Sequence, residues 1–248
     1  MEVHAHSHTP RNKWTHYLWE FLMLFLAVFC GFLAENQREH MVENQREKKY
    51  MKSLLSDLAA DTLFINNNRI YAETTIQKHD SFQKNLYSDS ILEKADAVYL
   101  QYAGYFRLLT PKFNDQTITQ LRNSGNLRLI RNNEIASKLS EYWNKIQETM
   151  KLAERVEQRF DVSAQIASRI FNRKYILRQE DTITGNPIYT IYDNPKFMIW
   201  DKNELVAFAN MVNRIESSIK VGYVPLLDSQ KKQAEELIEL IKKEYHLK

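Results

Sequence analysis

The 14 residues from Phe21 to Ala34 (FLMLFLAVFCGFLA) are uninterrupted apolar, and this run constrains the fold more than any other feature of the chain. Counted from Tyr17, the stretch is 18 residues long and holds a single charge, Glu20. At 1.5 Å per residue, 14 residues span roughly 21 Å and 18 roughly 27 Å. A hydrocarbon core is about 30 Å thick, so the longer stretch just crosses it. Trp14, Tyr17 and Trp19 stand at its N-terminal edge, where an aromatic belt anchors a membrane helix.

Other uses of such a run fit less well. A buried helix of a soluble protein normally keeps some polar face, and Phe21 to Ala34 keeps none. Cleavage as a signal peptide after Ala34 would put Phe32 where a small residue is required. A lipoprotein signal would need a small residue before Cys30, and Phe29 is there. The expectation is an uncleaved single-span helix over 14–35, in contact with the lipid bilayer.

One stripe of this helix carries Glu20, Leu24, Ala27, Gly31 and Ala34, at spacings of four, three, four and three. Ala27-x-x-x-Gly31 is a small-xxx-small pair that allows close approach of two helix backbones. Two readings of Glu20 stay open. It is a shared proton or ion site on an oligomer seam, or a carboxylate reaching the headgroups beside His16 or Lys13.

A tail over 1–13 carries His4, His6 and His8, alternate histidines without a fourth ligand nearby, and reads as flexible. After the span, Glu35-Asn36-Gln37-Arg38-Glu39 recurs as Glu43-Asn44-Gln45-Arg46-Glu47. Glutamate followed by arginine three residues later supports a solvated helix, so 36–49 is expected to continue the span as a charged juxtamembrane stalk.

Residues 50–248 read as a helical bundle domain. Met51, Leu54, Leu55, Leu58, Ala59, Thr62 and Ile65 mark an apolar stripe, with Lys52, Asp57 and Asp61 off it. A second helix is expected from Ser90 to Leu109, ended by Pro111. A third runs from Asn114 or Asp115, as cap, to Asn123, with Gly125 left-handed beyond its end. The longest run starts at Asn133, with Ile135, Leu139, Tyr142, Ile146, Met150, Ala153, Val156, Phe160, Ala164 and Ala167 three and four apart. It gives way near Arg178 to a small hairpin or loop within 181–200, centred on Gly185-Asn186-Pro187. Two helices close the chain, one through Leu205, Phe208, Val212, Ile215 and Ile219, the other after Pro225. With only five glycines and five prolines to interrupt it, the class expected is all-α.

Chemistry is harder to find. Acidic and basic residues are interleaved and the net charge is only +3, which argues against a nucleic-acid binder, and no nucleic-acid partner is expected. No G-x-x-x-x-G-K-[ST], G-x-S-x-G, H-E-x-x-H or EF-hand spacing occurs. Cys30 lies in the apolar span as a packing residue. Catalytic, cofactor-binding and metal-ligating sets are therefore all expected to be none. Arg122, Arg128 and Arg131 flank Ser124-Gly125-Asn126, either as an anion site or as solvated charges. Tyr189, Tyr192, Phe197 and Trp200 form either a partner patch or a plug packing the excursion onto the bundle, and the plug is the reading adopted.

The runs HYLWEFLMLFLAVFCGFLAENQREH (16–40) and TITQLRNSGNLRLIRNNEIASKLSEYW (117–143) resemble segments of an uncharacterised bacterial family of single-span membrane proteins. That resemblance implies the bacterial inner (cytoplasmic) membrane and an all-helical body, and brings no catalytic motif. Residues nearest the span are basic (Arg11, Lys13) only on its N-terminal side. Counting Lys and Arg alone, with Arg38, Arg46, Lys48 and Lys49 after the span, would keep the C-terminal domain in the cytoplasm. Glu35, Glu39, Glu43 and Glu47 cancel those charges, however, and the periplasmic side is the reading adopted. The function expected is a non-enzymatic, membrane-anchored scaffold or interaction protein. It would bind another membrane protein or form a homo-oligomer through the Ala27/Gly31 seam and the long seam from Ile135. The alternative is a sensory or transport accessory subunit whose bundle binds a ligand and whose Glu20 responds to protonation.

Overall fold

The computed structural model describes residues 14–105, 107–108, 110–182, 187–198 and 201–247. The histidine tail, Trp200 and the Gly185-Asn186 turn lie outside these. The chain divides into two compact units between Tyr50 and Met51, and helix α1, Trp14–Leu86, contributes to both.

In the first unit, α1 is long and apolar enough to cross a membrane, and none of its apolar window is buried. Beyond the window, Arg38 pairs with Glu35 one turn back at 2.9 Å on an exposed face.

Among the described residues, the second unit is mostly helical, with one antiparallel strand pair and an irregular stretch before Gln116. After α1 come α2 (Ala95–Ala103), α3 (Gln116–Asn123), a 3-10 turn (Asn126–Leu129), and α4 (Asn133–Ile170). Strands β1 (Ile176–Glu180) and β2 (Pro187–Ile191) follow, then α5 (Lys202–Ser217), a π-helical turn (Ser218–Tyr223) and α6 (Val224–Tyr245).

Three long legs form the core. Asp61 meets Tyr142 and His79 meets Phe160, so α1 and α4 run parallel. Asn68 meets Tyr223 and Phe82 meets Phe208, so the α5–α6 leg runs antiparallel to α1. Thr149 with Gln230 and Arg169 with Glu204 show the same sense against α4. A fourth, irregular leg returns from the end of α1 to the start of α4. Along it Tyr99 packs on Phe171, Tyr105 on Phe160, Arg107 pairs with Glu157 and Asp161, Phe113 packs on Phe64, and Asn114 reaches Asp61.

Two of the long legs, α1 and α4, follow a heptad. From Met51 on, the heptad positions of α1 that are buried are 51, 54, 58, 61, 65, 68, 72, 75, 79, 82 and 86, with Gln83 also buried beside them, and those of α4 are 135, 139, 142, 146, 149, 153, 156, 160, 163, 167 and 170. Alternating steps of three and four over this length hold one face inward by slight left-handed supercoiling. Each fully buried Leu, Ile or Phe on these faces stabilises the fold by about 1.5–3 kcal/mol.

That period corrects several expectations. On α4 it buries Thr149 and Ser163, while their apolar neighbours Met150 and Ala164 face out. On α1 it buries Asp61 and leaves Ala59 exposed. The α4 seam is filled within the chain by α5 and α6, so it is not free for self-association.

Three element boundaries also differ. The second helix covers only Ala95–Ala103, because the chain leaves helical geometry after Gly104 and descends as the irregular leg. The long helix stops at Ile170, and the excursion opens with β1 at Ile176, earlier than 181. In the register Ile176↔Ile191 to Glu180↔Pro187, a strand that shows mostly polar residues is paired edge to edge.

At Pro225 the expected gap is absent, and the backbone stays helical from α5 through the π turn into α6. Buried positions step 212, 215, 219, 223, 227, 230, with three successive fours, the middle one where the heptad wants a three. A π turn widens the helix by one residue, and so absorbs the extra residue and keeps both halves of the leg facing the core.

Candidate functional site

The first candidate is the apolar stripe. Glu20, Leu24, Ala27, Gly31 and Ala34 are all exposed, as is Cys30 beside Gly31. A Cβ placed on Gly31 would meet nothing within 4 Å, so the groove there is open. Glu20 lies 3.4 Å from His16 Nε2, one turn toward the N-terminus. Away from the stripe, Phe21, Phe25 and Phe29 stack successively with ring centroids 6.3 and 5.9 Å apart. The stripe thus has a small-residue segment at Ala27, Gly31 and Ala34 beside Glu20 and Leu24, and another face carries the stacked phenylalanines. Such asymmetry suits a helix that packs against another helix on one face and lipid on the other.

The second candidate was not visible as a site in the sequence. Asp61, only 1% exposed, accepts the backbone N–H of Asn114 at 2.7 Å, its side-chain amide at 3.3 Å, and the Tyr142 hydroxyl at 2.8 Å. One turn earlier, Asp57 accepts the Thr117 N–H at 3.3 Å. Asp115, expected to cap α3, makes no side-chain cap bond. Asp57 does that work from across the interface, where the free N–H groups and the helix dipole favour negative charge, while Asp61 holds Asn114 just before the helix. Burial pushes the Asp61 carboxyl above its ordinary value, and its hydrogen bonds offset part of that rise.

Asp61 begins a polar ladder inside the bundle. Asn68 and Thr75 follow it at seven-residue steps, both buried. Asn68 accepts from Tyr223 at 3.2 Å, and Gln230 from Thr149 at 3.0 Å. The amide nitrogen of Asn68 is buried and unpartnered. The ladder marks one register among the long legs, because a slip would strand these polar groups against apolar neighbours.

The other sequence-derived residues are dispersed. Arg122 lies over the Trp143 ring at 5.0 Å, which occupies its guanidinium with a cation–π contact. Arg128 falls in the 3-10 turn and Arg131 just after it, both exposed. Phe197 packs into the aromatic cluster of Tyr99 and Phe171 at 5.6 and 5.7 Å. Tyr189 is half-buried on β2, and Tyr192 is largely exposed. Phe197 therefore acts as a plug, while Tyr192 does not share its burial.

A small cavity of about 220 Å³ opens between α1 and α2, lined by Lys78, Phe82, Leu100 and Tyr105. Among the described residues, no group of three or more His, Cys, Asp or Glu side chains is gathered as a metal site requires. The chain matches no protein-family model, no curated protein and no solved structure.

Proposed function

We propose that this chain is a non-enzymatic, membrane-anchored scaffold that self-associates through the Glu20/Leu24/Ala27/Gly31/Ala34 stripe and carries its helical bundle as an interaction domain. The open groove at Gly31 on an otherwise aromatic, unburied apolar helix is the observation that supports it. Without a hydrophobic driving force between helices in lipid, close backbone approach at small residues supplies the attraction. The anchor sits in the bacterial inner membrane, with the bundle on the periplasmic side, following the basic residues before the span.

Oxidative crosslinking through Cys30 in native membranes tests this reading. A disulfide-linked dimer is expected, and Gly31→Leu should sharply reduce it by forcing the backbones apart. An unchanged dimer yield in Gly31→Leu removes the seam. A compartment-specific reporter at the C-terminus should be active only on the periplasmic side.

A second reading, a sensory or transport accessory subunit, draws on the buried ladder Asp61–Asn68–Thr75, which gives the bundle a polar interior that a signal can bias. It requires Glu20→Gln to abolish a measurable response, whereas a scaffold tolerates that change.

A further inference from the structure

The outer face of α1 in the second unit carries a second heptad stripe. Ser53, Ser56, Ala60, Leu63, Asn67, Ile70, Thr74, Gln77 and Ser81 step alternately by three and four, and every one is exposed. None is charged, although charged residues make up 26% of the chain. Leu63 and Ile70 are 67% and 61% exposed at its centre, an unusual display for large aliphatic side chains on a helix whose other face is fully packed. Lys49 and Lys84 lie at its two ends.

We propose that this stripe is the seam of a parallel, two-fold coiled coil between two copies of the chain. The proposal deepens the self-association reading and rests on it for the parallel sense, since two copies anchored in one membrane point the same way. In a parallel pair, each seam residue faces its own counterpart. A charge there would meet a like charge, so a seam made for a second copy must be uncharged, as this one is. A different partner protein imposes no such restriction, because it can supply the opposite charge.

The heptad positions agree with this. Leu63 and Ile70 fall at successive d positions, and Asn67 falls at the a position between them. A single Asn at an a position pairs with its copy through its amide and fixes two-stranded register. The flanking g and e′ positions, five residues apart, pair Lys52 with Asp57 of the copy and Glu73 with Lys78 of the copy. The two pairs between, Ala59 with Phe64 and Asn66 with Tyr71, are neutral. No g–e′ pair from Lys52 to Lys78 brings like charges together, so the charge pattern is self-complementary along the whole seam.

The test uses the full-length chain in native membranes, with Cys30→Ser and single cysteines introduced at Leu63, Ile70 or, as a surface control on α4, Met150. Positions a and d of a parallel pair bring their Cα atoms within disulfide reach. Leu63→Cys and Ile70→Cys should give dimeric disulfides several-fold above Met150→Cys, and adding Asn67→Lys should reduce them several-fold by setting two ammonium groups face to face. Equal yields at all three positions would overturn the proposal, as would mixed disulfides to another protein in place of dimers. Cys30 in the otherwise unaltered chain is read in parallel. Crosslinking at Cys30 without crosslinking at Leu63→Cys sinks the coiled coil and leaves the membrane seam standing. Crosslinking at Leu63→Cys without it at Cys30 sinks the membrane seam and supports the coiled coil.

Discussion

Tyr142 on α4 donates its hydroxyl to the buried Asp61 carboxylate on α1 at 2.8 Å, tying two parallel helices at the level where the irregular leg re-enters helix α3. The carboxylate is held by donors from two other segments, and each satisfies part of a group that burial has stripped of water. Tyr142→Phe removes one donor and leaves the ring packing intact. It should cost about 1–3 kcal/mol, the penalty for an unsatisfied buried polar group. Chemical denaturation of the full chain measures this, and a change below a few tenths of a kcal/mol would mean that the hydroxyl bond carries no net stability.

The same carboxylate sets a pH dependence with a definite sign. Its folded-state value is raised above the ordinary 3.8, chiefly by desolvation, with a contribution from nearby Asp57. Between the ordinary and the raised value, the native state binds more protons than the unfolded chain, so stability falls as pH rises through that window. Above it the cost of the buried charge is present in full, and below 3.8 it is absent. The difference in unfolding free energy between the unaltered chain and Asp61→Asn should therefore vary as pH rises from 3.8 through the raised value and become flat above it. A difference that is constant across the acid range would show that Asp61 titrates as an ordinary surface carboxylate.

How much of this was legible depends on which rule one trusts, composition or period. Apolarity alone chooses Met150 and Ala164 as seam residues, whereas strict alternation of three and four selects Thr149 and Ser163, which are the buried ones. The same rule places Asp61 inward between Leu58 and Ile65, where its charge argues for solvent. Local pattern also located α3 and the left-handed Gly125, at φ +68°. It could not reveal that Asp57, 60 residues earlier, caps that helix at the Thr117 N–H, or that Asp61 holds Asn114 just before it. β1 was hidden for a related reason, since Arg178, Gln179 and Glu180 lack the apolar alternation of a half-buried strand. The apolar N-terminal helix depends on local sequence alone, and its length and composition were readable there.

The π turn offers a test in which two effects are expected to couple. Deleting the exposed Val221 removes the extra residue and restores steps of three and four through 219, 223 and 227. The deleted chain then places Pro225 in an ordinary α-helix, where the missing N–H and the ring clash cost about 3 kcal/mol. The deletion alone should lower Tm markedly, and the deletion combined with Pro225→Ala should recover most of the loss. If the double variant is no more stable than the deletion alone, the turn does not serve to accommodate the proline.

Tyr99 connects the hairpin to the bundle. Its hydroxyl donates to the Lys196 carbonyl at 2.8 Å and accepts the Asn172 N–H at 2.9 Å, so a single atom bridges the chain leaving α4 and the chain leaving β2. Its ring packs edge-on against Phe171 and tilted against Phe197. Tyr99→Phe preserves those ring contacts and removes both hydrogen bonds, leaving a donor and an acceptor unpaired in a half-buried place. The expected loss is about 1–3 kcal/mol, expressed locally. Hydrogen exchange at the Asn172 amide should accelerate, while amides in the middle of α4 stay protected. Tyr192→Ala, at the exposed end of β2, should change neither stability nor exchange at Asn172. Equal acceleration in both variants would mean that the hairpin is held by its strand pairing and not by Tyr99.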